Sequence, residues 1–300
     1  MRLAEIERHV TSMEELQRIV GAMRAIASMR MQEAVHALAS VREYGTRLAE
    51  CLHDAITIVS EGAHVAGGDR GEFLDATNTS AGRSGRRAIV LFTSEHGFVG
   101  GFNRRLMEAV ESDLAATDAL MIVGSRGAAF AAEHRHPAVW ANPLATRLAG
   151  IPETVRLVEE ALLPRITHDE IVRAEVIFGR HAPAGDPAIE RRQLFPLELA
   201  SARAKRRGLV PLHDLPVPEL LEKLTSEYMV AQLTEAATEA LAAENAARFA
   251  AMESARDNVG RKLETLRLEA SRARQEEVTA ELLDIITGEQ AATAASGVQE

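Results

Sequence analysis

The sequence predicts an α/β protein: a long antiparallel coiled coil of N- and C-terminal helices carrying a small, largely parallel α/β domain. Three observations predict it. All ten prolines lie between Pro137 and Pro218, so both ends of the 300-residue chain are free of them. Each end carries apolar residues at alternating steps of three and four, the period of a left-handed coiled coil. Between the ends, short apolar runs alternate with amphipathic segments, as in a parallel sheet with helical crossovers.

Residues 1–60 form the first helix. They contain only Gly21 and Gly45 as helix-weakening residues. Leu3, Ile6, Val10 and Met13, then Leu16, Ile19, Met23 and Ile26, step by three and four. The stripe continues through Met31, Val35 and Leu38 to Leu48, Leu52 and Ile56. At 1.5 Å per residue such a helix is ~85–90 Å long. Residues 61–87 are rich in Gly, Ser, Thr, Asn and Asp and read as a flexible loop, with His64 a solvated residue of it.

The α/β domain spans 88–200. Ala88–Phe92 is a buried strand, a glycine-rich turn follows, and a helix runs from about Asn103 to Leu114. Ala119–Val123 is the next strand and Ser125–His134 a short helix. Residues 152–168 form an amphipathic helix, on Val155, Leu157, Val158 and Leu162. Ala174–Gly179 and Ala188–Phe195 are two further strands, joined by a turn at the sequence APAGDP. Residues 201–217 are a linker whose basic run, Arg203 to Arg207, is a solvated patch.

The last helix spans 218–288, between a proline suited to a first helical position and a glycine suited to a helix end, with 289–300 as a tail. Its seam is Phe249, Met252, Arg256, Val259, Leu263, Leu266, Ala270 and Ala273, with a shorter run at Leu221, Leu224, Tyr228 and Ala231. A helix of this span is ~105 Å long. A seam so rich in alanine buries little area, so the helix needs a partner. The first helix is that partner, the two pairing antiparallel if both leave one side of the central domain.

Composition excludes several classes. No apolar run approaches the ~20 residues of a membrane span, and the N-terminus has no secretory apolar core. The single Cys51 makes no intrachain disulfide, consistent with a reducing compartment. A net charge of −10 opposes nonspecific nucleic-acid binding. Of 34 basic side chains only Lys205, Lys223 and Lys262 are lysines.

The segment Thr93–Asn103 follows a strand and precedes a helix, where open α/β sheets bind ligands. Its glycines, Gly97, Gly100 and Gly101, have neither the dinucleotide spacing nor the Gly-Lys-Ser/Thr of a P-loop. Ser94, Glu95 and His96 are adjacent and point apart, so they do not converge as a triad. The reading is a tight structural turn. Glu133, His134 and His136 lack a second pair of ligands at metal spacing and read as surface residues. The acidic residues Glu276, Glu277, Glu281 and Asp284 read as a solvated helix face. No catalytic residue, cofactor-binding residue or metal ligand is assigned.

Over nearly its whole length the chain resembles the γ subunit of F-type ATP synthases, the central rotor shaft. The family's C-terminal signature is matched by Glu244, Ala246, Ala247, Arg248, Met252, Ala255, Asp257, Asn258 and Gly260. It continues with Ala273, Arg274, Gln275, Thr279, Glu281, Leu282 and the Ile-x-x-Gly pattern ending at Gly288. Ile19, Ala22, Met23, Ile26, Ala27 and Ser28 match the first-helix block loosely. Ser94, Gly97, Gly100, Gly101 and Asn103 match the central turn. Several basic positions of the family are Ala, Met or Glu here, and residues 218–300 hold 8 basic and 16 acidic side chains. Members of the family are often basic there, opposite an acidic loop of the β subunit. The departures imply a divergent or alternate bacterial synthase with altered partner loops.

The resemblance implies a rotor that couples transmembrane ion flow, a proton current, to ATP synthesis or hydrolysis in a ring of α and β subunits. Its partners would be that catalytic hexamer, the ε subunit and the membrane c-ring, with no nucleic acid. It would sit peripherally on the cytoplasmic face of the bacterial inner membrane, without cofactor or active site of its own. Met23, Arg248, Arg274, Gln275 and Thr279 would lie at the contact with the catalytic ring and carry the coupling. Two other classes compete: a non-rotary coiled-coil scaffold or tether, and a small α/β enzyme with helical arms, which would need nucleotide affinity in the isolated chain.

Overall fold

The computed structural model describes residues 3–66, 85–182, 185–197 and 214–296. The loop residues 67–84 and most of the 201–217 linker, with its basic run, lie outside them, as does the side chain of His64. The chain divides into two compact units, Ile26–Ala250 and a second made of Met1–Ala25 with Ala251–Glu300.

The larger unit is built on a five-stranded sheet. Its strands are β1 (Arg86–Phe92), β2 (Ala119–Val123), β3 (Trp140–Asn142), β4 (Ile171–Arg180) and β5 (Ala188–Phe195), in the order β3-β2-β1-β4-β5. The β1–β2, β1–β4 and β2–β3 pairs are parallel, and β5 runs antiparallel to β4. The short β3 is not foreseen from the sequence. β1 and β2 are continuous apolar runs because the sheet is covered on both faces.

One face, with Ala88, Val90 and Phe92, packs on α4 (Ile151–Thr167) through Val155, Val158 and Leu162. It also packs on the last helix, α5 (Val217–Ser296), through Leu233, Ala236, Ala237 and Ala240. The other face, with Ile89 and Leu91, packs on α2 (Phe102–Glu111) through Phe102, Leu106 and Val110. α3 (Ser125–Glu133) adds Ala131 there. Alanines let α5 approach the sheet closely: a Cβ at Gly179 of β4 would sit 2.6 Å from Phe102 and 3.0 Å from the Ala243 Cβ.

The first helix, α1 (Leu3–Ala66), runs past the expected boundary at 60, and α5 continues past Gly288 to Ser296. In the larger unit Arg42 pairs with Glu235 at 3.2 Å and with Glu239, Tyr44 donates to Glu227 at 2.5 Å, and Leu52 and Ala55 cluster with Leu221. In the smaller unit Glu7 meets Arg274 and Glu14 meets Arg267, each at 2.6 Å, and Arg24 meets Glu253. Rising numbers on α1 meet falling numbers on α5 in both units, so the pairing is antiparallel.

The seam differs in detail from the one read in the sequence. Ile6, Val20, Ala27 and Ala34 are buried and Met13 half-buried, a strict step of seven, whereas Leu16, Ile19, Ile26 and Val35 are exposed. On α5, Met252, Val259, Leu263, Leu266 and Ala270 are buried, but Arg256 is exposed and turns back to Glu253. A guanidinium has no compensating partner inside a seam of alanine and leucine, so it leaves for water.

Candidate functional site

The residues that invite a functional reading gather at the carboxyl ends of β1, β2 and β4. Thr93 directly follows β1 and donates through its hydroxyl to Val123 O at 3.0 Å, tying the end of β1 to β2. Asn103, at the start of α2, accepts from Ser94 N at 3.0 Å and donates to Ser94 Oγ at 2.8 Å. Between these anchors the chain makes its glycine turn. Gly100 has φ +57°, a conformation that costs other residues free energy. Gly97 and Gly101 have negative φ, and a Cβ on either would meet only flexible arginine side chains, so the turn itself depends on Gly100. Phe98 takes φ +62° and is 66% exposed.

Ser94, Glu95 and His96 do diverge. Ser94 is spent on Asn103. The Glu95 carboxylate accepts Ser125 N at 2.9 Å, Ser125 Oγ at 2.8 Å and Leu144 N at 2.9 Å, satisfying the first turn of α3. His96 N–H points the other way, toward α5.

Helix α5 lies across this end of the sheet. The Glu244 carboxylate accepts the N–H groups of Glu95 and His96, each at 3.2 Å. Arg248, one turn on, donates to Glu244 at 2.5 Å, to Asn245 at 3.1 Å, and to the carbonyls of His96 and Gly97, each at 3.3 Å. Glu244 is 3% exposed and Arg248 7%. Burial of this pair is tolerable because each charge faces its opposite and the remaining polar atoms are bonded. Further along, the buried Glu239 accepts His181 N–H at 3.0 Å.

Of the residues expected at the ring contact, Arg248 lies in the larger unit. Its guanidinium is buried and committed within the chain, so it is a structural residue of the turn rather than a donor at the surface. The others of that group lie in the smaller unit. Met23 is half-buried. Arg274 is exposed and donates to Glu7 at 2.6 Å. Gln275 is exposed, and Thr279 spends its hydroxyl proton on Gln275 O at 2.8 Å. The residue that sequence reasoning left without a role is Glu244, quoted only as part of a signature. Its signal was a carboxylate four residues before an arginine on a helix otherwise filled with alanine.

At the amino end of the sheet lies a second charged group. Arg87 reaches Asp118 at 2.6 Å and Asp113 at 2.9 Å, and Arg191 reaches Asp113 at 2.5 Å. The Arg191 hydrogen bond first, then that of Arg87, holds Asp113 well below the usual carboxylate range. His134 stacks on Phe130 with ring centroids 4.0 Å apart, and His136 faces Glu111 at 3.4 Å.

A sequence profile of the ATP synthase family matches residues 2–292. The ATP synthase gamma chain of Phenylobacterium zucineum (strain HLK1) is 25% identical over 300 residues, covering 96% of this chain and 99% of that one. The ATP synthase gamma chain of Geotalea uraniireducens (strain Rf4) is 24% identical over 296 residues, covering 95% and 97%. Among solved structures, a chain of the Euglena gracilis mitochondrial ATP synthase in rotational state 3 superposes with a TM-score of 0.62 at 15% identity, covering 98% of this chain and 95% of that one. A chain of the Tetrahymena thermophila mitochondrial ATP synthase central stalk and c-ring gives 0.55 at 14% identity, covering 79% and 99%. With its terminal helices paired antiparallel within each unit, a five-stranded sheet in the larger one, and a profile match from residue 2 to residue 292, the chain belongs to the ATP synthase family, as a gamma chain.

Proposed function

We propose that the chain is the central-stalk rotor subunit of a rotary ATP synthase, without an active site of its own. The observation that carries this reading is the filled crevice at the carboxyl end of β1. Amides that receive phosphate in nucleotide-binding sheets here receive Glu244 from the chain's own helix. ATP chemistry then belongs to a ring of α and β subunits, and this chain contributes its rotation. Turning an asymmetric helix pair inside that ring biases each catalytic site in turn toward a different affinity, which couples ion flow to ATP synthesis or hydrolysis. The c-ring and the ε subunit are its other partners. No described helix is long and apolar enough to cross a membrane; within this reading the chain works peripherally, at the cytoplasmic face of the bacterial inner membrane.

Within this reading Met23, Arg274, Gln275 and Thr279 face the ring. Arg274 and Gln275 are exposed and offer donors to partner loops, whereas Thr279 offers only lone pairs. A charge-assisted hydrogen bond made in some rotary states and not in others biases those states by about tenfold to a hundredfold. In membrane vesicles, Arg274→Ala with Gln275→Ala is expected to retain ATP hydrolysis and lose most of the ion gradient. Equal retention of both activities removes these residues from coupling, and loss of the complex assigns them to assembly. Purification of a tagged chain without any catalytic subunit would defeat the rotor reading itself.

A further inference from the structure

The strand order reverses at β1, which lies between β2 and β4. The turn that follows presents two consecutive amides, of Glu95 and His96, to one carboxylate on α5. Arg248 then takes the two consecutive carbonyls of His96 and Gly97. Three neighbouring turn residues are thus fastened at four backbone atoms by two side chains one helical turn apart. The bonds are made inside the unit, where both side chains are almost fully buried and bulk water does not compete for them. The very next residue is Phe98, held at φ +62° and exposed. A strained backbone persists only where its surroundings over-determine it, and here the surroundings are these two side chains.

We infer that Glu244 and Arg248 are positioning residues for coupling: an internal anion and its counter-cation lock the turn to α5, so that Phe98 moves with the helix. This deepens the rotor reading and rests on it. A turn held only at its ends would bend when its exposed tip met resistance. A turn bonded to the helix at four atoms transmits the load instead. Glu244 acts here as the ligand of an oxyanion site that the chain keeps filled, so its removal leaves a cavity suited to a small carboxylate.

The test has two arms. In the full-length chain, a nitroxide on Phe98→Cys, with Cys51→Ser, reports mobility of the turn by electron paramagnetic resonance. Glu244→Ala is expected to free the label, saturating acetate to restrain it again, and Glu244→Gln to give an intermediate spectrum. In vesicles carrying the assembled complex with Phe98 intact, Glu244→Ala is expected to lower the gradient formed per ATP hydrolysed by about tenfold or more, since it removes the charge-assisted bonds to both turn amides. Acetate should recover part of it. A spectrum unchanged by Glu244→Ala, or a freed label that acetate does not restrain, overturns the clamp. A freed label with undiminished coupling overturns the positioning role. Where Glu244→Ala fails to assemble, Glu244→Gln and Arg248→Lys carry the same comparison in the complex. A wild-type complex that never couples would defeat the rotor reading while the label result stands.

Discussion

From Ala236 to Asn245 every residue of α5 is buried, whereas beyond Met252 the same helix buries a single stripe and leaves Leu268, Leu282, Leu283, Ile285 and Ile286 exposed. Composition does not separate the two stretches, since both are rich in alanine, leucine and glutamate. Their surroundings do. In the larger unit α5 meets a sheet and Ala34 of α1, so even its small side chains lose their water. In the smaller unit α5 meets one helix, and a cluster of Ile6, Leu266 and Ala270 with four flanking residues is the core. Helix propensity therefore supplies the element in both places, and tertiary burial decides which part is fixed and which part keeps apolar surface for partners.

The largest expected effect separates the two surroundings directly. Leu233→Ala, at a position 0% exposed in the sheet-facing cluster, should cost about 2–5 kcal/mol in urea unfolding, the range for a large-to-small change in a closed core. Gly179→Ala attacks the same packing from the strand. Its Cβ would stand 2.6 Å from Phe102, and overpacking of this kind should cost about 1–3 kcal/mol by the same measurement. Leu266→Ala in the smaller unit has fewer neighbours to lose and should fall at the low end of the same range, about 2 kcal/mol, read as faster hydrogen exchange confined to the terminal segments. A cost equal to that of Leu233→Ala would abolish the contrast.

The smallest effect is electrostatic. Asp113 has a depressed pKa in the folded state, so its contribution is present above the unfolded value of about 3.9 and is lost as pH falls below it. Its side chain is 41% exposed, which limits the gain to less than about 1 kcal/mol. Asp113→Asn should lower stability at neutral pH by less than about 1 kcal/mol and flatten the acid limb of a stability-versus-pH curve, the two curves converging in acid. High salt should shrink the difference further.

The strands with long apolar runs were legible because a parallel sheet covered on both faces needs continuous hydrophobicity, as in Ala88–Phe92 and Ala119–Val123. β3 was not, because three residues between Pro137 and Pro143 carry no period. The helices were legible and their buried face was not. Large residues at Leu16, Ile19 and Ile26 drew the seam toward them, while Val20, Ala27 and Ala34 form the buried line. Small side chains give a weak hydropathy signal yet allow close helix approach. At the turn, the glycines were visible and their fastening was not, since Glu244 stands 148 positions from His96. Only the fold brings that carboxylate to those amides.

The ion pairs described between α1 and α5 all use arginine: Arg24, Arg42, Arg267 and Arg274. A guanidinium keeps its proton throughout the range in which an ammonium would titrate. Alkaline conditions that discharge lysine therefore leave these contacts charged. Amine-acylating reagents pass them by as well, finding the exposed side chains of Lys223 and Lys262 instead. Those two side chains can thus be decorated with the described inter-helix pairing untouched, which makes them natural attachment points for following the chain's motion.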